Sequence, residues 1–380
     1  MREKLQYKIT GIAFIIILCL FAICSNYKLI DYYVNNVPYN EYWNPDLGKR
    51  NETDYSIVFL GKRFFIDVNG AIRNLFGQQI MNDVCKLNNG HLTALKGPLD
   101  VTKLDAEAKN IQNLYRVCEK MGVPFIYIAA PDKISPFDSE LPLGEIDYSN
   151  SNIDMFLQSL NKYKVPYIDL RQEFYEDGLE QYDYFSKTDH HWNAHGGYYG
   201  YSKIREWFDR ENIIYDLSAS KQRNYNIRSY SEKLLGSWGQ RTGKYFAGSD
   251  DFYVFEPIFS SSLTIDGGIT GEYKDILLNN NLLKTKTPEF IYDGVYCNMQ
   301  DVTNNNVLND TTVLLIGDSF SRVVNPFLIL SVKNFMFRST YQSIDITEEF
   351  LLSVKPSVVI LLQSPWNNLG SDESYRFVEN

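Results

Sequence analysis

Twice in this chain a helical pattern runs into Val-Pro and then into a short, unbroken apolar run. Few folds accommodate that order. In the first unit Leu104, Ala108, Ile111, Leu114, Cys118 and Met121 recur at three- and four-residue steps and form one apolar face. Thr102 with Asp105 makes a weak capping pair at its start, and Gly122 suits its C-terminal cap. "VPFIYIAAP" follows, with the length and evenness of a buried strand. In the second unit "NIDMFLQSLNKYK" leads into "VPYIDL". Helix and then buried strand, repeated, predicts α/β units on a mainly parallel sheet flanked by helices. Near the end "TTVLLIGDSFSRVVNPFLILSV" reads as strand, tight turn and helix, and "SVVILLQSPW" as the strand that closes the sheet. Polar residues just beyond strand ends build sites in such sheets. Here they are Asp132 and Lys133 after the first strand and Arg171 after the second, each of which could also be an ordinary turn residue.

The remaining segments set the organisation. "MREKLQYK" is basic, and the stretch from Ile9 to Tyr27 carries no charge. Roughly 19 residues at 1.5 Å rise span about 28 Å, near the thickness of a bilayer core. With Arg2, Lys4 and Lys8 ahead of it, the positive-inside rule leaves residues 1–8 in the cytoplasm and exports the rest. A cleaved signal peptide is the rival, but Ala22-Ile23-Cys24 makes a poor cleavage site. The expectation is a single-pass cell-membrane protein: anchor 9–27, stalk 28–55, and an extracytoplasmic domain over 56–380. That domain opens with "SIVFLG" and "RFFIDV" as short strands and holds a polar and β-rich insertion around 217–300. The five cysteines show no CxxC spacing, which argues against a zinc ribbon or a disulfide framework. A net charge of −10 and no basic stripe argue against a nucleic-acid partner.

Two short stretches carry the chemistry. "TDHHWNAHGGYYGY", residues 188–201, holds three of the four histidines. If the segment is extended, Asp189 and His191 project to one side, where the carboxylate can orient the imidazole, and His190 points the other way. In "TTVLLIGDSFSR" a buried strand reaches Gly317, which permits close backbone approach, and Ser319 falls at the strand-to-helix junction. Free N–H groups at a helix start suit an oxyanion, although Ser and Asp are also the favoured N-caps. Trp192 either packs the imidazole in place or stacks on a sugar. Ser321 is the alternative nucleophile, but the turn favours Ser319.

"DHHW" before a Gly-rich aromatic helix, with a later "GDSFS" after a buried strand, resembles the DHHW-motif SGNH-hydrolase-like proteins, which are similar to bacterial alginate O-acetyltransferases. The resemblance covers roughly residues 55–370. It implies an SGNH-like, flavodoxin-like sheet, with Ser319 as nucleophile, His191 as general base and Asp189 as its orienter. The order is permuted, with Asp-x-His ahead of Ser. The implied reaction is O-acetyl transfer through an acetyl-serine to a hydroxyl of an extracellular or cell-wall polysaccharide. A membrane-bound acyltransferase partner would supply the acetyl group, and no cofactor or metal is implied. No family residue can be matched in "LLQSPWNNL", so Arg322 and Asn367 join Trp192 only as candidates for substrate or oxyanion contact.

Other readings stay open. The same triad delivering acetyl to water makes a carbohydrate acetylesterase, and a chain that has lost turnover would be a polysaccharide-binding or scaffold protein. His191 and His195, four apart, could share a zinc ion, but that leaves "GDS" unexplained. The DHH phosphoesterases need more histidine ligands than His91 can add.

Overall fold

The computed structural model describes residues 2–36, 61–265, 268–284, 301–341, 346–364 and 377–378. The chain divides into two compact units, Met1–Asn69 and Gly70–Asn380. The first contains helix α1 (Arg2–Asn36), which takes in the expected anchor and the start of the expected stalk. Its unbroken run of described side chains is residues 10–24. Among the described residues no helix is long and apolar enough to cross a membrane. The rest of the stalk and nearly all of "SIVFLG" lie outside the described residues. "RFFIDV" is not a strand. It lies in helix α2 (Lys62–Leu75), where Phe64, Phe65, Val68, Ile72 and Leu75 recur at helical steps.

The second unit builds from the repeated motif. Helix α3 (Val101–Met121) is capped by Asp100, whose side chain accepts from the Thr102 N–H, and by Gly122 at φ 68°. The start cap is therefore Asp100, not the Thr102–Asp105 pair. Strand β1 (Phe125–Ala129), helix α4 (Ser149–Lys162) and strand β2 (Tyr167–Asp169) follow. Helix α5 (Ala194–Arg210) carries the Gly-rich aromatic stretch. Beyond it come β3 (Tyr225–Leu234), α6 (Ser237–Thr242), β4 (Asp250–Pro257), β5 (Leu263–Ile265), β6 (Ile269–Gly271) and β7 (Asp301–Asn304). The chain then forms β8 (Thr312–Gly317), α7 (Asn325–Ser331), β9 (Asn334–Ser339), α8 (Glu348–Val354) and β10 (Val358–Gln363).

The main sheet has the order β2-β1-β10-β8-β9-β7-β5-β6. From β2 to β9 every pairing is parallel. From β9 to β6 every pairing is antiparallel. The sheet is thus mixed: five neighbouring strands are parallel, and an antiparallel edge is added by β5 and β6 of the expected insertion and by β7 just after it. Strands β3 and β4 pair antiparallel as a separate ribbon.

Strand alternation separates two cores. Ile126, Ile128, Leu315, Ile360 and Leu362 face one, which contains Ile204 and Phe208 of α5 and Phe327 of α7. Phe125, Tyr127, Leu314 and Leu361 face the other, with Leu104 and Ile111 of α3 and Phe156 of α4. Every residue of β1 and β10 is buried, as parallel strands covered on both faces must be. Neighbouring strands β1, β10 and β8 end together, so their carboxyl ends deliver Lys133, Ser364 and Ser319 to one rim of the sheet.

Candidate active site

Ser319 owes its place to the end of β8. At Gly317 a Cβ would lie 2.7 Å from the Leu362 carbonyl oxygen, so the two strands close only around glycine. The next residue, Asp318, is buried. Its carboxylate accepts from the Phe320 N–H at 2.9 Å and from the Ser364 N–H at 2.8 Å. Burial pushes this carboxyl up to about 7, against the pull of those two N–H groups. Ser319 then opens a short 3-10 turn, Ser319–Val323, and α7 starts only afterwards. The junction is a turn, not the expected helix start. The Phe320 N–H is already used by Asp318. Among the described residues the Ser319 N–H has no acceptor, which leaves it as a backbone donor for an oxyanion.

The histidine stretch is a bent loop closed by a bridge between Phe185 and Trp192. Asp189 Oδ1 accepts from the His191 backbone N–H at 3.0 Å and contacts His191 Nδ1 at 2.6 Å. His191 Nε2 lies 2.7 Å from Ser319 Oγ. A carboxylate only accepts, so Nδ1 carries the ring proton, and Nε2 is left to accept from the Ser319 hydroxyl. Asp189, His191 and Ser319 are therefore joined in one hydrogen-bonded series. A local bend brings Asp189 and His191 together, not an extended strand. His190 does not point away: its ring centroid is 3.7 Å from that of His191, and its Nδ1 lies 2.8 Å from Ser237 Oγ.

Ser237 was not visible in the sequence as a site residue. It sits in a polar connection with no strand end or motif to flag it. In the fold its N–H donates to Asp189 Oδ2 at 2.7 Å, at the start of α6. A Cβ at the preceding Gly236 would lie 2.3 Å from the Asp189 Cβ, so glycine is what lets this segment reach the carboxylate. Thr188 ties the two segments together. It accepts from the Gly236 N–H and donates to Asp250 Oδ2.

Electrostatics follow the same contacts. Burial alone would raise the Asp189 carboxyl. The His191 hydrogen bond, the nearby imidazole charges and the Ser237 N–H outweigh it and hold Asp189 well below the usual carboxylate range. His190 is pushed down to about 3, first by burial and then by the charge His191 would carry.

Trp192 is fully buried, and its indole N–H donates to the Phe320 carbonyl at 2.8 Å. It is packed against the turn, as the packing alternative for this residue has it. Glycines on α5 make room for it: a Cβ at Gly200 would meet the indole at 2.7 Å, and one at Gly196 at 2.8 Å. Ser321 is buried and donates to the Asp318 carbonyl, which removes it as a nucleophile. Arg322 is half-buried on the same turn. Asn367 lies outside the described residues. Arg171 is buried and pairs with Asp169 and Asp154, an anchor between β2 and α4. Lys133 reaches the histidine loop, donating to the Ser186 carbonyl at 2.5 Å.

Asp189, His190 and His191 are the one group among the described residues whose ligand atoms, within 4.8 Å of one another, could hold a metal. A cation there would compete with Ser319 and Ser237 for the same atoms. His195 is not its partner. It sits on α5 edge-on to Tyr253 and Phe255, whereas His191 precedes the helix.

The family model described as "SGNH hydrolase-like domain, acetyltransferase AlgX" matches residues 94–233. That segment holds Asp189 and His191 but stops short of Ser319. No curated protein matches the chain. Among solved structures, Bacillus cereus PatB1 is similar at 20% identity and a TM-score of 0.63, over 76% of this chain and 98% of that one. A DHHW family protein from Eubacterium siraeum is similar at 15% identity and a TM-score of 0.56, over 79% of this chain and 98% of the other. The likeness to these structures is one of fold: an SGNH hydrolase-like α/β sheet, mixed and flanked by helices. The resemblance to DHHW-motif SGNH-hydrolase-like proteins is thus matched by the family model over the segment that holds "DHHW" and by the fold.

Proposed function

We propose that the protein is a serine-dependent O-acetyltransferase acting on a hydroxyl of an extracellular or cell-wall polysaccharide. One observation carries the reading: the His191 ring lies between Asp189 and Ser319 at hydrogen-bond distance from both. The family model that matches part of the chain, described as an acetyltransferase domain, supports it. Ser319 Oγ attacks the acetyl carbonyl while His191 Nε2 takes its proton. The carbonyl oxygen becomes an oxyanion facing the Ser319 N–H, a type of donor worth about 2.7–4 kcal/mol of barrier. Collapse expels the donor's leaving group, which takes the proton from His191 and leaves acetyl-Ser319. A sugar hydroxyl then gives its proton to His191 and attacks the acetyl carbon, and His191 returns a proton to Ser319. Asp189 holds the ring and stabilises the imidazolium throughout.

The anchor belongs to the same proposal. In α1, Ile12, Phe14, Ile15, Ile16, Ile17, Leu18, Leu20 and Ile23 are each more than half exposed. Consecutive positions point to all sides of a helix, so no single protein face could cover them. Ile9–Tyr27 is proposed to cross the cell membrane, with the site outside it and a membrane-bound acyltransferase supplying acetyl groups.

The test follows both halves of the reaction. Release of p-nitrophenol from p-nitrophenyl acetate is measured together with the mass of an added oligosaccharide. Ser319→Ala and His191→Ala are expected to lose about 10³-fold or more in turnover, and the oligosaccharide is expected to gain acetyl groups. Turnover that survives Ser319→Ala would overturn the serine mechanism. Loss of acetyl groups from an acetylated oligosaccharide would make the protein an esterase, and binding without any turnover would make it a scaffold.

A further inference from the structure

Lys133 is 1% exposed. Its ammonium donates to the backbone carbonyls of Ser186, at 2.5 Å, Lys187, at 3.3 Å, and Asp189. Three donors meet three acceptors, all on the loop that carries Asp189 and His191. Its own backbone is held as firmly: the Lys133 N–H donates to Asp132 Oδ1, and Gln181 donates to the Asp132 carbonyl at 2.7 Å. Among the described residues Lys133 forms no ion pair. A buried ammonium costs several kcal/mol, and an apolar side chain of similar length would fill the same volume. What such a side chain could not do is gather three carbonyls of one bend.

We infer that Lys133 is a positioning residue for this site, its ammonium holding the Ser186–Asp189 backbone so that Asp189 and His191 stay aligned on Ser319. The inference rests on the reading of those three residues as the working triad. Lys133 contacts none of their reacting atoms. It acts through the carbonyl of Asp189, at the far end of the residue from the carboxylate that orients His191. A misplacement of about 1 Å there is worth about 10²-fold in rate.

Charge separates this role from plain packing. The titratable and charged groups around Lys133 are Asp132, Asp189 and Asp250, together with His91, His190 and Lys187. Burial pushes the ammonium down to about 8, against the pull of the three carboxylates. This folded value lies below the unfolded one of about 10.4. Between the two the unfolded chain binds more protons, so this group's contribution to stability rises with pH. The clamp does the opposite: above about 8 the ammonium becomes a neutral amine with one donor fewer. Activity should therefore fall with rising pH while the stability term from Lys133 does not.

The experiment compares full-length wild type, Lys133→Met and Ser319→Ala, with p-nitrophenyl acetate turnover, labelling of Ser319 by phenylmethanesulfonyl fluoride and thermal unfolding, each measured across pH 8. Lys133→Met is expected to lose about 10- to 100-fold in kcat, with KM unchanged. It should also lack the alkaline fall in labelling that wild type shows without a parallel fall in Tm. A raised KM with kcat intact, or the same alkaline fall in both proteins, overturns the inference. If Lys133→Met does not fold, the wild-type profile decides: labelling that stays constant above pH 8 overturns it. Turnover surviving in Ser319→Ala would sink the triad reading itself. An inactive Ser319→Ala beside a fully active Lys133→Met would sink only the role of Lys133.

Discussion

Asp189 is placed to do two things at once, and one substitution separates them. Its Oδ1 holds His191 twice, through the backbone N–H and through Nδ1, and its Oδ2 takes the Ser237 N–H. Asp189→Asn keeps the volume and exchanges one acceptor for a donor. An amide N–H facing Nδ1 forces the ring proton to Nε2, where it meets the Ser319 hydroxyl and cannot accept from it. Turnover is expected to fall about 10³- to 10⁴-fold. Stability responds to pH with a definite sign. The folded Asp189 carboxyl lies below its unfolded value, so its stabilisation is complete above about pH 3.9 and is lost as the pH falls further. Urea unfolding at mildly and strongly acidic pH should show a steeper loss in wild type than in Asp189→Asn; equal slopes would contradict the assignment. The two-residue spacing made Asp189 and His191 legible as a pair in the sequence. The bend that joins them was not legible, because an Asp that caps its own i+2 N–H looks the same on paper as one in a strand. Ser237 was hidden for another reason: its contact is 48 residues away along the chain and depends on Gly236 being glycine.

At the scale of elements, the histidine loop leads directly into helix α5, and α5 packs on the Ser319 turn. Gly197 is the point of closest approach in that contact: a Cβ there would lie 2.4 Å from the Val323 carbonyl oxygen and 2.6 Å from its Cγ2. Backbone stands opposite backbone, so neither side can yield by a rotamer change. Gly197→Ala is expected to cost about 1–3 kcal/mol by overpacking and to lower turnover by moving Ser319 relative to His191. Gly97→Ala serves as the control. A Cβ there meets nothing within 4 Å, and its effect should stay within about 0.5 kcal/mol. Equal thermal shifts in the two variants would refute the packing argument. The elements that the sequence revealed are those with strong local signals. Helix α3 and strands β1, β8 and β10 announce themselves by period and by unbroken apolar runs. Helix α2 was misread because "RFFIDV" taken alone is apolar enough for a strand, and its helical period emerges only when Ile72 and Leu75 are included. The antiparallel edge β7-β5-β6 was hidden because each of its strands has four residues or fewer, too short for a period to register.

For the whole molecule, the question is what accommodates α1. Eight large apolar side chains between Ile12 and Ile23 are each more than half exposed. Burying such a residue fully is worth about 1.5–3 kcal/mol, so their sum rivals the entire stability of a domain, about 5–15 kcal/mol. The proposed membrane anchor would take these side chains out of water. The full-length chain is therefore expected to sediment with lipid vesicles and to resist extraction by alkaline carbonate. A chain beginning at residue 61, which keeps the unit Gly70–Asn380 intact, is expected to remain in the supernatant and to keep its p-nitrophenyl acetate turnover. Orientation can be read in the same preparation. In the proposed orientation Arg2, Lys4 and Lys8 stay in the cytoplasm and the Ser319 site faces outward, so protease added outside intact cells should destroy turnover without lysis. Full-length protein that stays soluble would remove the anchor. Turnover protected until lysis would reverse the orientation, and with it the access of Ser319 to a cell-wall acceptor.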